Sequence, residues 1–170
     1  RKNLTVEDYY RLREMLDEAK LVGAEQWQFG KLFKSQYDET NANIQLAGAT
    51  PEAMLTNDWQ VADGRSINQD DMDRNRRVCI LGSDVAKKLF PRVSPLGQEV
   101  KVDGMRLDVI GVLMTRGAMF GQSRDGFVVA PLSTFQARYG KTSRSVNITV
   151  MAHSPVTYNR TIDAAIGHMR

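Results

Sequence analysis

The dipeptide Asp103-Gly104 constrains this chain more than any other feature. Both residues tolerate positive φ, and alternating apolar and polar runs flank them, so residues 98–102 and 105–114 predict an antiparallel hairpin closed by a two-residue turn. Further short strands fit residues 43–49, 77–82, 127–130 and 146–152, and the aromatic-rich stretch 21–37 places Trp27 and Phe29 on one strand face. Helix starts lie between them. Thr5 with Asp8 three residues on opens a helix over 6–18, and Thr50-Pro51 opens one to Leu55 with proline where its missing N–H does no harm. Asn68, Ser83 and Ser133 are predicted to cap three more, and Ser154-Pro155 begins a last helix carrying Ile162, Ala165 and Ile166. This alternation predicts an α+β fold.

At 170 residues the chain has the length of one domain or two small ones. Hydrophobic residues at 42% and charged residues at 25% exclude disorder. The longest apolar runs, Val109 to Met114 and Phe127 to Leu132, hold six residues each, against the roughly 18 that a bilayer span requires. One Cys and two His exclude a disulfide framework and the usual zinc patterns, so no metal and no cofactor is expected. A balance of 23 basic against 20 acidic residues generates no field suited to nucleic acid. The chain opens Arg1-Lys2-Asn3 without Met or leader, the expectation for an excised piece of a longer protein.

Catalytic patterns are sparse. Asp70, Asp71 and Asp73 precede Arg74, Arg76 and Arg77, an order that suits the dipole of a solvated helix; the same carboxylates with His153 would serve a small α+β hydrolase. Cys79 sits among apolar neighbours as an inert buried thiol, and Trp27 and Trp59 read as packing residues. Gly140-Lys141-Thr142 lacks the upstream glycine of a phosphate loop, its place being taken by Phe135, and Gly82 alone is no phosphate cradle. Ser123 misses the nucleophile-elbow spacing by one position, and His153 and His168 stand fifteen apart outside any metal pattern. The stretch 115–126 holds three glycines with Met119 and Phe120 near its middle. It reads either as a partner-contact loop, with Met119, Phe120 and Gln122 the contact residues, or as a connection whose apolar residues fold back into the core.

One set of residues carries a family resemblance. Gly48-Ala49-Thr50-Pro51, Gly64-Arg65, Val78-Cys79-Ile80-Leu81-Gly82, Ala86-Lys87-Lys88-Leu89-Phe90, Pro95-Leu96-Gly97, Val109 to Leu113 and Pro131-Leu132-Ser133 follow one another in an order that resembles the periplasmic core domain of MacB-type ABC transporter permeases. The resemblance covers about residues 4–152. It implies two mixed α/β subdomains: a porter-like βαβ subdomain formed by both chain ends, 1–45 and 136–170, and an inserted Sabre-like subdomain, 46–135. It implies no catalytic residue. The domain would stand on the periplasmic side of the bacterial inner membrane, between the first and second transmembrane helices of the permease. ATP hydrolysis would occur on a cytoplasmic ATP-binding domain or subunit. The implied partners are a periplasmic adaptor protein and a second permease protomer in a homodimer. The strands expected before Leu4 and after the last helix are absent, again as in an excised piece. A stand-alone cell-envelope interaction module is the third reading beside the permease domain and the hydrolase.

Overall fold

The computed structural model describes residues 5–15, 19–119, 122–123, 125–141 and 146–152. Chain order runs α1 (Val6–Met15), β1 (Ala19–Lys31), β2 (Ile44–Ala49), α2 (Pro51–Thr56), β3 (Val61–Gly64), α3 (Gln69–Asp73), β4 (Val78–Leu81) and α4 (Ser83–Leu89), then β5 (Glu99–Val102), β6 (Met105–Leu113), β7 (Ala118–Met119), β8 (Gln122–Ser123), β9 (Phe127–Pro131), α5 (Leu132–Tyr139) and β10 (Asn147–Ala152). Eight strands form one mixed sheet in the order β10-β1-β2-β9-β4-β6-β3, with β5 paired to β6 off that path. Two pairs, β2–β9 and β4–β6, are parallel and the rest antiparallel. The strands expected at 43–49, 77–82, 127–130 and 146–152 are all present, which makes the fold α+β.

The turn chemistry explains the hairpin directly. Asp103 has φ 49° and Gly104 φ 78°, so both residues occupy the left-handed region, and Val102 faces Met105 across the closed turn. Along β6 the residues Met105, Leu107, Val109, Gly111 and Leu113 are buried while those between are exposed or half-buried, the alternation of a strand with one covered face. By contrast β4 and β9 are buried at every position, because they lie mid-sheet with both faces covered.

Two layers cover the sheet. On one face α4 and α5 pack Val85, Leu89, Phe90 and Phe135 against Leu46, Leu81, Leu107 and Val128. The opposite face carries Ala53 and Met54 of α2, with Trp59 and Ile67, over Ala47, Ile80, Leu113 and Val129. A third cluster joins Tyr9 of α1 to Val22, Ala24, Leu132 and Val150. Gly48 lets α5 approach the sheet: a β-carbon there would overlap the Phe135 side chain.

Local capping follows the sequence at three sites and departs from it at two. At α1 the Thr5 hydroxyl accepts from the Asp8 N–H at 3.2 Å and the Asp8 carboxylate accepts from the Thr5 N–H at 3.1 Å. The Thr50 hydroxyl accepts from the Ala53 and Ala24 N–H groups, and Asn68 with Asp71 forms a reciprocal capping box. The α4 cap position, in contrast, is Gly82, and the Ser83 hydroxyl is buried with no hydrogen bond among the described residues. The physical reason is crowding: a β-carbon at residue 82 would overlap the Asp125 carbonyl and lie 2.6 Å from that of Phe127. At α5 the cap position is Pro131, and the Ser133 hydroxyl instead donates to the Met72 carbonyl at 2.7 Å, tying α5 to α3. The final helix expected after Ser154 lies outside the described residues.

Candidate functional site

The segment expected to wander between β6 and β9 forms a small hairpin of its own. Ala118 pairs with Ser123 and Met119 with Gln122, antiparallel and separate from the main sheet. Two of the three sequence-derived contact residues thus face each other in register, while Phe120 lies outside the described residues. Asp125 closes the base of this hairpin. Its side chain accepts from the Arg116 N–H at 2.8 Å and from the Gly117 N–H at 3.1 Å, and the residue is only 3% exposed. Its backbone carbonyl accepts from the Asp84 N–H at 3.3 Å, and Phe127 accepts from the Gly82 N–H at 2.8 Å. The hairpin base is therefore held against the start of α4, where only glycine at position 82 leaves room.

A chain of aromatic rings starts at Phe127, the first residue of β9, which is 5.3 Å centroid to centroid from Trp59 and 6.0 Å from Trp27; Trp59 meets Trp27 edge-on at 5.7 Å. Trp27 in turn stacks on Phe29, which is 52% exposed. Met114, exposed just after the end of β6, donates its N–H to the Gln60 carbonyl.

The acidic run does not assemble a hydrolytic pair. Asp71, with a fully buried side chain, accepts from both Arg65 terminal nitrogens at 2.8 and 3.1 Å and from the Asn68 N–H at 2.9 Å. Burial pulls its pKa upward, but Arg65, the Asn68 N–H and Arg76 together outweigh burial and hold the carboxyl below its ordinary value. Asp70 pairs with Arg74 and Arg76, and Asp73 accepts from Gln69. A carboxylate held ionised by two guanidiniums is poorly suited to proton transfer at neutral pH. His153, the other half of the hydrolase reading, lies outside the described residues. Cys79 is wholly buried, and burial pushes its thiol far above the range where thiolate forms. Among the described residues no group of three or more His, Cys, Asp and Glu could hold a metal ion, and no helix is long and apolar enough to cross a membrane.

Sequence reasoning missed two carboxylates. Asp125 carries a faint signal, an Asp-Gly pair at the entry to a strand, but its partners lie eight and nine residues back and no spacing rule reaches them. Glu25, mid-strand in β1, gives no signal at all. It is 6% exposed, accepts from the Asn57 side chain at 3.0 Å, and burial raises its pKa to about 7 against the opposing hydrogen bonds from Trp27 and Asn57.

Comparison with known proteins gives this architecture its relatives. The macrolide export ATP-binding/permease protein MacB of Rhodopirellula baltica is 34% identical over 93 residues, 54% of this chain and 14% of that protein. The ABC transporter permease YknZ of Bacillus subtilis is 27% identical over 121 residues, 71% of this chain and 30% of that protein. The chain thus spans a minor part of the length of the relatives it matches. Among solved structures, the extracellular domain of the noncanonic ABC-type transporter YknZ from Gram-positive bacteria superposes with a TM-score of 0.76 at 27% identity, covering 94% of this chain and 78% of that one. The periplasmic region of MacB from Actinobacillus actinomycetemcomitans reaches 0.82 over 99% of this chain and 74% of that one; at 20% identity this is a likeness of fold. The family model for the MacB-like periplasmic core domain matches residues 1–167, and the chain belongs to that family.

Proposed function

We propose that this chain is the extracytoplasmic domain of an ABC transporter permease of the MacB type, on the periplasmic side of the inner membrane. In this reading it does no chemistry of its own. ATP hydrolysis on a cytoplasmic domain or subunit moves it, and it passes that motion to cargo and to a docked periplasmic adaptor protein, working as a homodimer. The family match over residues 1–167 is the observation that carries the reading. The division into a part built from both ends, 1–45 and 136–170, and an inserted part, 46–135, belongs to the same proposal.

Within it, the hairpin that bears Met119, Phe120 and Gln122 is the adaptor or inter-protomer contact. What supports this is its base: a buried carboxylate latches a two-pair hairpin that stands apart from the main sheet. Loops held stiffly by a scaffold bind without a large ordering cost. Replacing Met119 and Phe120 together by Ser in the full-length permease is expected to weaken adaptor binding by about tenfold or more, since apolar residues at an interface centre carry most of its affinity. The melting temperature should stay within a few degrees of the parent. Unchanged adaptor affinity and unchanged dimerisation in that variant would remove the hairpin from the contact.

A further inference from the structure

We propose that a cationic pocket between α5, the α3–β4 turn and the tip of the β5–β6 hairpin binds a phosphate-bearing anion, a site independent of the adaptor contact. The pocket has a volume of about 400 Å3, and its walls include Asn75, Arg77, Asp103, Gly104, Thr134 and Arg138. That is within the range of small-ligand sites and larger than a bare oxyanion requires, which leaves space for a substituent on the phosphate.

The charge balance of the pocket rests on how Asp103 is used. Lys31 Nζ lies 2.8 Å from its carboxylate, and the Tyr139 hydroxyl donates to the same oxygen at 2.8 Å. Those two bonds converge on one oxygen, Oδ2, of the one acid on the wall. Arg138 donates from Nε and Nη2 to the Asp103 carbonyl at 3.3 and 2.9 Å and stands 5.2 Å over the Tyr139 ring, so its guanidinium is held in place with no salt bridge among the described residues, although its charge also acts on the Asp103 carboxylate. Arg77, on the turn after α3, makes no side-chain hydrogen bond or ion pair among the described residues. Two arginines from two different elements thus line one cavity, and the Arg77 guanidinium has its donors unspent among the described residues. A planar carboxylate is satisfied by a single guanidinium fork, whereas a tetrahedral phosphate offers oxygens in several directions and accommodates both.

The bound anion would come from solution or from a lipid headgroup, and the two sources are separable. The chain with labelled arginine side chains is titrated with inorganic phosphate by nuclear magnetic resonance at constant ionic strength, chloride replacing phosphate, so that general screening is held fixed. In parallel, sedimentation with phosphatidylglycerol vesicles is compared with phosphatidylcholine vesicles. Saturable shifts of Arg77 and Arg138 with phosphate support a solution anion; sedimentation with phosphatidylglycerol alone supports a headgroup. Arg77→Gln should weaken either by about tenfold, and Arg92→Gln, an exposed arginine away from the pocket, should leave both unchanged. Absence of both responses, or equal responses in the two variants, overturns the proposal. Arg77 is exposed and its side chain makes no hydrogen bond or ion pair among the described residues, so an unchanged melting temperature in the variant separates its effect from loss of fold.

Discussion

The two hairpins of this molecule close by different physics. The β5–β6 hairpin turns on Asp103 and Gly104, two adjacent residues whose own backbone preferences make the turn, and its strands then join the main sheet. The β7–β8 hairpin has no such turn signal in its base; it is shut by Asp125 accepting two N–H groups from the far side of the loop. Local chemistry makes the first and a remote buried acid makes the second. Two other buried carboxylates divide the same way. Asp71 sits in a capping box with Asn68, three residues away, whereas Glu25 accepts from the Asn57 side chain and has no salt-bridge partner among the described residues.

Perturbing each member tests the division, and the largest effect is expected at Glu25. Its folded pKa of about 7 lies above its ordinary value of 4.5, so the folded state holds the proton more tightly than the unfolded chain. The resulting stability is fully present below about pH 4.5 and is lost as pH rises through 7, amounting to about 2–3 kcal/mol once residual solvent screening is allowed for. Glu25→Gln should remove that much of the difference in unfolding free energy between pH 5 and pH 8, read by denaturant titration at both. An identical pH dependence in parent and variant would mean that Glu25 titrates normally.

Next in size is the latch. Asp125→Ala removes two hydrogen bonds to a charged acceptor, each worth about 1 kcal/mol or more, and should speed amide exchange at Arg116 and Gly117 by about a hundredfold. Exchange in β4 and β9 should change far less; equal acceleration there would show that the hairpin and the core open as one unit. Smaller still is the effect at the local turn. Gly104→Val forces a β-branched residue to φ 78° and should cost about 1–2 kcal/mol, lowering the melting temperature by a few degrees without altering exchange at Arg116. If it disturbed the β7–β8 hairpin as strongly as Asp125→Ala, the two closures would not be independent.

Much of the architecture was legible in residue order because its causes are short-range. Thr50-Pro51, Asn68 with Asp71, and Asp103-Gly104 each act within three residues, and each forms the cap or turn its composition predicts. Capping at α4 and α5 was misread for the opposite reason. Serine at position 83 or 133 is a sound cap by propensity, but the Asp125 and Phe127 carbonyls crowd the chain at Gly82, and Met72 of α3 claims the Ser133 hydroxyl.

By itself, then, the sequence determined the strands at 43–49, 77–82, 127–130 and 146–152, the Asp103-Gly104 hairpin, that the fold is α+β, and, through an ordered set of turn and strand residues, the family. Only the tertiary structure decided which strands lie beside which, that Asp125 latches a hairpin, that Glu25 is buried with no salt-bridge partner among the described residues, and that Arg77 and Arg138 line one pocket with Asp103. The reason is range. Backbone propensity and capping act over a few residues, whereas burial, charge and hydrogen-bond partners are set by segments that meet only after the chain has folded.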